Sequence, residues 1–253
     1  MNNFTMPPSF PDESFKQFGK SASLLFPGIL SDENFDDPNQ RQQHFSRAFQ
    51  AVMYRYRACS ESNQEFISLV DDASELWKEW TDDEEHNYKI EKAVYQFFMA
   101  GLSVFESYGF CLYFVGNTLA PPLFPHINKL KCINLHATSK SFAQAFPAAS
   151  ITQLLTKLLE RPEFKKVGSL RNIFAHRVTG RRNIRGYSKY IDGMHTETRE
   201  EVWSVTGSNE TLIFDRNLVQ RQFDDITGLL TALIAAALEF INEQVWNVPS
   251  GQG

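Results

Sequence analysis

Cysteine is scarce in this chain of 253 residues: there are three, Cys59, Cys111 and Cys132, widely separated and with no CxxC spacing. That excludes a disulfide framework, a zinc knuckle and a thioredoxin-like pair, and favours a reducing compartment. Glycine and proline are too few, at 13 and 11, for a fibrous or generally disordered chain. The N-terminal MNNFTMPPSFPDESF lacks a basic patch followed by an apolar run, so it does not read as a secretory signal. Clean apolar runs of membrane length are also missing. Residues 94–119 carry Glu106, Asn117 and Thr118, and 226–241 include Thr227 and Thr231, so both read as buried core helices and no membrane partner is expected. No P-loop, GxGxxG, GxSxG or HExxH occurs. His44, His86, His126, His136 and His195 form no His-x3-His pair, so neither a metal site nor a cofactor is expected. The spacing of Asp71, Asp72, Glu75 and Glu79 does not fit the paired ExxE and ExxD helices of a nucleotide pyrophosphatase.

What remains is 42% hydrophobic and 22% charged, an ordinary globular balance, with 22 Phe as its one excess. Residues 1–38, rich in Pro, Ser, Asp and Phe, read as an irregular N-terminal arm. Phe45, Phe49, Val52, Met53 and Tyr56 recur at helical spacing and predict a helix over 39–60. A restart at Ser62-Asn63 predicts a second over 62–80. Thr81 and the acidic residues after it resemble an N-cap and first turn, opening a helix to about Asn117 that Pro121 and Pro122 terminate. Residues 120–148 read as a connector with one short helix, Ser150 as the cap of a helix over 151–159, and Pro162 as the first residue of a helix ending near Arg177. Between 178 and 217, Ile184, Tyr187, Val202, Trp203, Leu212 and Phe214 lie among Thr, Gly and charge, which predicts two or three inserted strands. A last helix covers 218–245. The expected architecture is mainly α, an up-down helical bundle over 39–247 with a small β-like insert at 178–217 and a tail at 248–253.

The most unusual absence is local. Residues 165–190 contain no Asp or Glu, yet they hold eight of the chain's 25 basic residues, in a protein with 30 acidic ones. The overall charge of −5 argues against broad nucleic-acid binding, whereas this run fits one focused anionic site or, more plainly, a solvated basic helix end. Inside it lies SLRNIFAHR. On a helix, Asn172 and His176 are one turn apart and share a face, and Arg171 is about 100° away, within reach of a group held there. A guanidinium clamps phosphate, an imidazole exchanges protons near neutrality, and an amide orients either partner. Such an inventory suits RNA cleavage without metal; an Arg, Asn and His at a helix end are also common as plain surface. Glu106, in an apolar helix, is read either as an interior partner of Arg171 or His176, or as a solvated carboxylate.

The segment RNIFAHR resembles the signature of the HEPN superfamily: an Arg, a polar residue, a few variable residues and a His, flanked by a hydrophobic and a basic residue. The motif match covers about nine residues, and the order of long helices extends it loosely over 40–245. The resemblance implies a bundle of four or five helices that dimerises with its two motifs facing a shared cleft. It implies a metal-independent endoribonuclease, with Arg171, Asn172 and His176 catalytic, Arg177, Arg181 and Arg182 on the RNA phosphates, and no cofactor. The implied setting is a cytoplasmic toxin or defence protein, a homodimer with an antitoxin or other protein partner. Inactive members imply the alternative, a module that binds nucleotide, RNA or protein. The N-terminal arm and the insert at 178–217 depart from the minimal pattern. A helical protein with a purely structural or assembly role is the reading without chemistry.

Overall fold

A computed structural model describes residues 5–26, 38–75, 84–125, 129–176, 181–191, 194–206 and 211–246. It is a mainly α-helical bundle whose long helices are α2 (Pro38–Glu75), α3 (Glu84–Leu119) and α7 (Arg216–Trp246). Shorter helices are α1 (Asp12–Leu25), α4 (Leu135–Ala145), α5 (Ser150–Glu160) and α6 (Pro162–His176). Between α6 and α7 run β1 (Arg181–Ile191), β2 (Met194–Thr206) and β3 (Thr211–Phe214), an antiparallel sheet in that order. The inserted strands expected between 178 and 217 are therefore present. The chain divides into two compact units: Met1–Arg57 with Leu102–Lys165 and Ile226–Gly253, and Ala58–Gly101 with Lys166–Asp225.

The first unit is built on phenylalanine. Here the reading of residues 1–38 as an irregular arm needs correction, because 12–25 form α1. Phe15, Phe18, Ala22 and Leu25 recur every three or four residues and are all buried. Prolines 7, 8 and 11 made the segment look like loop, but all precede the helix, where Pro11 removes no helical hydrogen bond. Phe15 stacks on Phe49 of α2 with ring centroids 4.0 Å apart, and Phe18 meets Phe45 at 5.8 Å. The Tyr56 hydroxyl bonds Thr227 of α7 at 2.7 Å, and the Tyr108 hydroxyl donates to the Leu233 carbonyl at 3.2 Å. Burial pushes the Tyr108 phenol up.

The connector at 120–148 contains two single 3-10 turns and α4, which Asn134 caps by accepting from the Ala137 N–H at 2.8 Å. Glu106 accepts from the Leu135 N–H at 3.3 Å. Its carboxylate thus helps hold the start of α4. Ser150 is not a cap either: Ala149 holds that position, and the Ser150 hydroxyl donates to Glu239 at 2.9 Å.

In the second unit the expected break at Ser62-Asn63 does not exist. Ser60, Ser62 and Asn63 are buried, and the Asn63 amide donates to Gln220 of α7 at 3.0 Å. Asn breaks helices when its side chain competes for local backbone groups; a partner on another helix removes that competition. α3 is long and apolar enough to cross a membrane by length and composition, but 72% of its most apolar window is buried within the protein, as in a core helix. Asp215 opens α7, accepting from the Leu218 N–H at 2.6 Å. The sheet is seated through Phe214, fully buried, whose ring meets Phe98 of α3 edge-on at 5.6 Å. The expected cap at Thr81 and the tail at 248–253 lie outside the described residues.

Candidate functional site

The helix that holds the motif starts where proline is cheapest. Pro162 occupies the first helical position, where the missing N–H would have had no helical partner, and Glu163 sits in the same positive first turn. Among the described side chains of α6 in the second unit, Val167 and Leu170 are the buried ones, at 5% and 2% exposure. They fix the rotation of the helix about its axis. Arg171 is then half-buried, and Asn172 is exposed.

Arg171 donates from Nη1 to the Asn172 Oδ1 at 3.3 Å. The bond is long and solvent-exposed, so its stabilising effect is small. Its chemical consequence is greater. It turns the amide oxygen toward a cation and leaves the amide Nδ2 donors available to a ligand, while the other guanidinium N–H groups can still form a bidentate contact with phosphate. His176 is the final residue of α6, one turn beyond Asn172. The described part of the helix therefore carries all three motif residues. The side chains of His176, Ile173 and Phe174 lie outside the described residues, as does the whole of Arg177.

Arg181 and Arg182 are the first two residues of β1. Arg181 pairs in register with Ser204, and Arg182 with Trp203. Successive residues of a strand belong to opposite faces, so the sheet separates two arginines that the sequence places side by side. This pairing is not visible in the basic run itself; it follows from strand register.

Other concavities and clusters carry less chemistry. A groove of about 650 Å³ lies between α1 and α2 in the first unit, lined by Lys16, Lys20, Leu24, Phe49 and Met53 among others. Reading residues 1–38 as irregular concealed it. Lys16 there bonds Asp12 at 2.5 Å, which holds its ammonium above the ordinary lysine range. Among the described residues no three His, Cys, Asp or Glu gather as a metal-binding group. Cys59 and Cys111 are buried, and burial pushes both thiols well up, away from reactive thiolate.

The fold and site thus define a mainly helical protein with an Arg-Asn pair and a histidine on one helix, followed by an antiparallel three-stranded sheet. Neither family models, nor curated proteins, nor solved structures match this chain.

Proposed function

We propose that this chain is a HEPN-type, metal-independent endoribonuclease that works as a cytoplasmic homodimer with the two motifs lining a shared cleft. The observation that carries the reading is the Arg171–Asn172 pair, hydrogen-bonded at 3.3 Å on the accessible side of α6, with His176 one turn further along. In the reaction, His176 takes the proton of a ribose 2′-hydroxyl, and the 2′-oxygen attacks the adjacent phosphorus. The bond from phosphorus to the 5′-oxygen breaks, leaving a 2′,3′-cyclic phosphate, and the departing oxygen takes a proton from water. Arg171 offsets the charge that accumulates on the phosphoryl oxygens, and the Asn172 amide orients one of them. Basic residues after the helix, Arg177, Arg181 and Arg182 among them, supply the surrounding positive potential. A toxin or defence role, held in check by a protein partner, suits an enzyme that cuts cellular RNA.

The test is cleavage of single-stranded RNA in the presence of EDTA. Wild type is expected to cut, and His176→Ala and Arg171→Ala to lose roughly 10²- to 10⁴-fold in rate while melting at the wild-type temperature. Equal cutting by either variant, or loss of all wild-type cutting in EDTA, would sink the mechanism. Tight RNA binding without cutting would instead mark the chain as a binding module built on the same motif.

A further inference from the structure

The groove between α1 and α2 has walls of one charge in a protein of the other. Residues 14–26 and 38–60 contain no Asp or Glu, yet they hold Lys16, Lys20, Arg41, Arg47, Arg55 and Arg57, in a chain whose net charge is −5. A local excess of one sign selects partners of the opposite sign. These cations differ in availability. Arg41 is buried, and Lys16 pairs with Asp12 and Glu13 at one end of the groove. Lys20 and Arg47 are exposed, and neither makes an ion pair among the described residues.

The packing puts these two on opposite walls. Phe15 stacks on Phe49 and Phe18 meets Phe45, so α1 and α2 run antiparallel. Gly19 lies so close to the Phe49 ring that a Cβ there would come within 2.8 Å of it. Lys20 lines the groove on the α1 side, and Arg47 follows Ser46, which lines it on the α2 side. Between them the lining is apolar: Phe45, Phe49 and Met53 from α2, and from α1 Leu24, which is 68% exposed. The lining runs from Lys16 to Leu24 along α1 and from Phe45 to Met53 along α2. At about 1.5 Å per residue each wall is roughly 12 Å long, the span of anchors at i, i+4 and i+7 of a helix.

We propose that this groove docks an acidic amphipathic helix of a protein partner. The partner's apolar residues cover Leu24, Met53 and the edge of Phe49, and carboxylates on its two flanks pair with Lys20 and Arg47. An apolar floor between cations matches a helix with an apolar stripe and acids on either side. A second copy of the same surface fits poorly, because a self-complementary contact sets the cations of one groove against those of the other. Single-stranded nucleic acid binds by stacking on open rings, whereas Phe45 is buried and Phe49 is already stacked on Phe15. The docking site needs nothing from the ribonuclease reading, and all its residues belong to the first unit.

The test is fluorescence anisotropy of a labelled Ala-based model helix of roughly 18 residues, long enough to be helical alone, with Leu at i, i+4 and i+7 and Glu on both flanks. The full chain is expected to bind it, and not to bind a peptide with Lys in place of every Glu. Lys20→Glu with Arg47→Glu should weaken the acidic peptide about tenfold and should bind the Lys peptide, a gain that a misfolded chain would not produce. Leu24→Ser, at an exposed position, should also weaken binding about tenfold through lost apolar burial. Lys129→Glu with Lys131→Glu, an equal charge change at exposed residues that do not line the groove, should change affinity less than about twofold. No binding by wild type, equal binding of the two peptides, or equal weakening by the two double variants overturns the docking site. Displacement of the peptide by single-stranded RNA at lower concentration than by unlabelled peptide overturns it in favour of nucleic acid. Self-association of the chain that Lys20→Glu with Arg47→Glu abolishes overturns it in favour of a second copy. Binding that appears only when residues 27–37, with their four carboxylates, are replaced by Gly and Ser overturns it in favour of the chain's own segment. Whether the chain cuts RNA bears on none of these outcomes.

Discussion

The two units use opposite strategies for the inside of a protein. In the first, aromatic rings fill the interior: Phe124 meets Tyr113 at 5.2 Å and Phe142 at 5.4 Å, and Phe142 meets Phe240 at 5.7 Å. Three of its buried polar side chains are tied to main-chain oxygens. Thr138 donates to the Gly109 carbonyl, Thr152 to that of Phe146, and Asn117 to that of Phe124. Among the described residues the second unit has fewer buried rings, a side-chain pair (Asn63 with Gln220) bridging two helices, and the exposed Arg171–Asn172 contact. Large rigid rings make a region intolerant of change. The first unit is thus the rigid one, and the second carries the residues of the proposed site.

The largest effect that would break this assignment is Phe124→Ala. Phe124 is fully buried, and its truncation is expected to lower unfolding free energy by about 3–5 kcal/mol, measured by urea denaturation. Below its melting temperature the RNA cleavage proposed above should persist in this variant at the wild-type rate; a proportional loss would mean that the first unit takes part in it. Next comes the same substitution made at one glycine in each unit. A Cβ at Gly116 would fall inside the Phe124 ring's contact distance, and the neighbouring rings stop Phe124 from yielding. Gly116→Ala should cost about 1–3 kcal/mol, and less in a Phe124→Ala background. A Cβ at Gly168 meets nothing within 4 Å, so Gly168→Ala in α6 should stabilise by about 0.5–1 kcal/mol, the helix-propensity gain. Thermal melts of the two variants in opposite directions would sharpen the contrast, and a destabilising Gly168→Ala would break it.

The smallest effect is a pH dependence in the first unit. The His44 ring stacks on Phe114 at 5.2 Å, and its imidazole is held below its ordinary range, first by burial and then by Arg47. The native state therefore binds fewer protons than the unfolded chain. Its contribution to stability is present above the ordinary imidazole range and is lost as pH falls through the depressed value. The urea midpoint of wild type should fall as pH drops below about 6.5, and His44→Gln should fall less. Equal pH profiles would show that His44 is not responsible.

The motif was legible because its signal is local. Pro162, the apolar positions at 167 and 170 and the Gly180 beyond the helix all mark α6 without reference to any other segment. The same holds for α3 and α7, whose apolar residues repeat at helical spacing, and for the inserted strands. Three features were hidden because each depends on a partner distant in sequence. α1 forms where Phe15 and Phe18 find Phe45 and Phe49; alone, its prolines and serines dominate. α2 continues through Ser62 and Asn63 because Gln220, 157 residues away, takes the amide. Arg181 and Arg182 are neighbours in the chain but occupy opposite faces, because β1 is a strand paired with β2.

The sequence by itself determined the helical class, the aromatic core and the placement of Arg171, Asn172 and His176 on one helix, since periodicity and end signals act over a few residues. Only the tertiary structure decided which polar residues were buried, where α2 would run unbroken and which face of the hairpin each cation would share. Those outcomes rest on pairings between distant segments, and a hydrogen bond or ring contact exists only once both partners have been brought together.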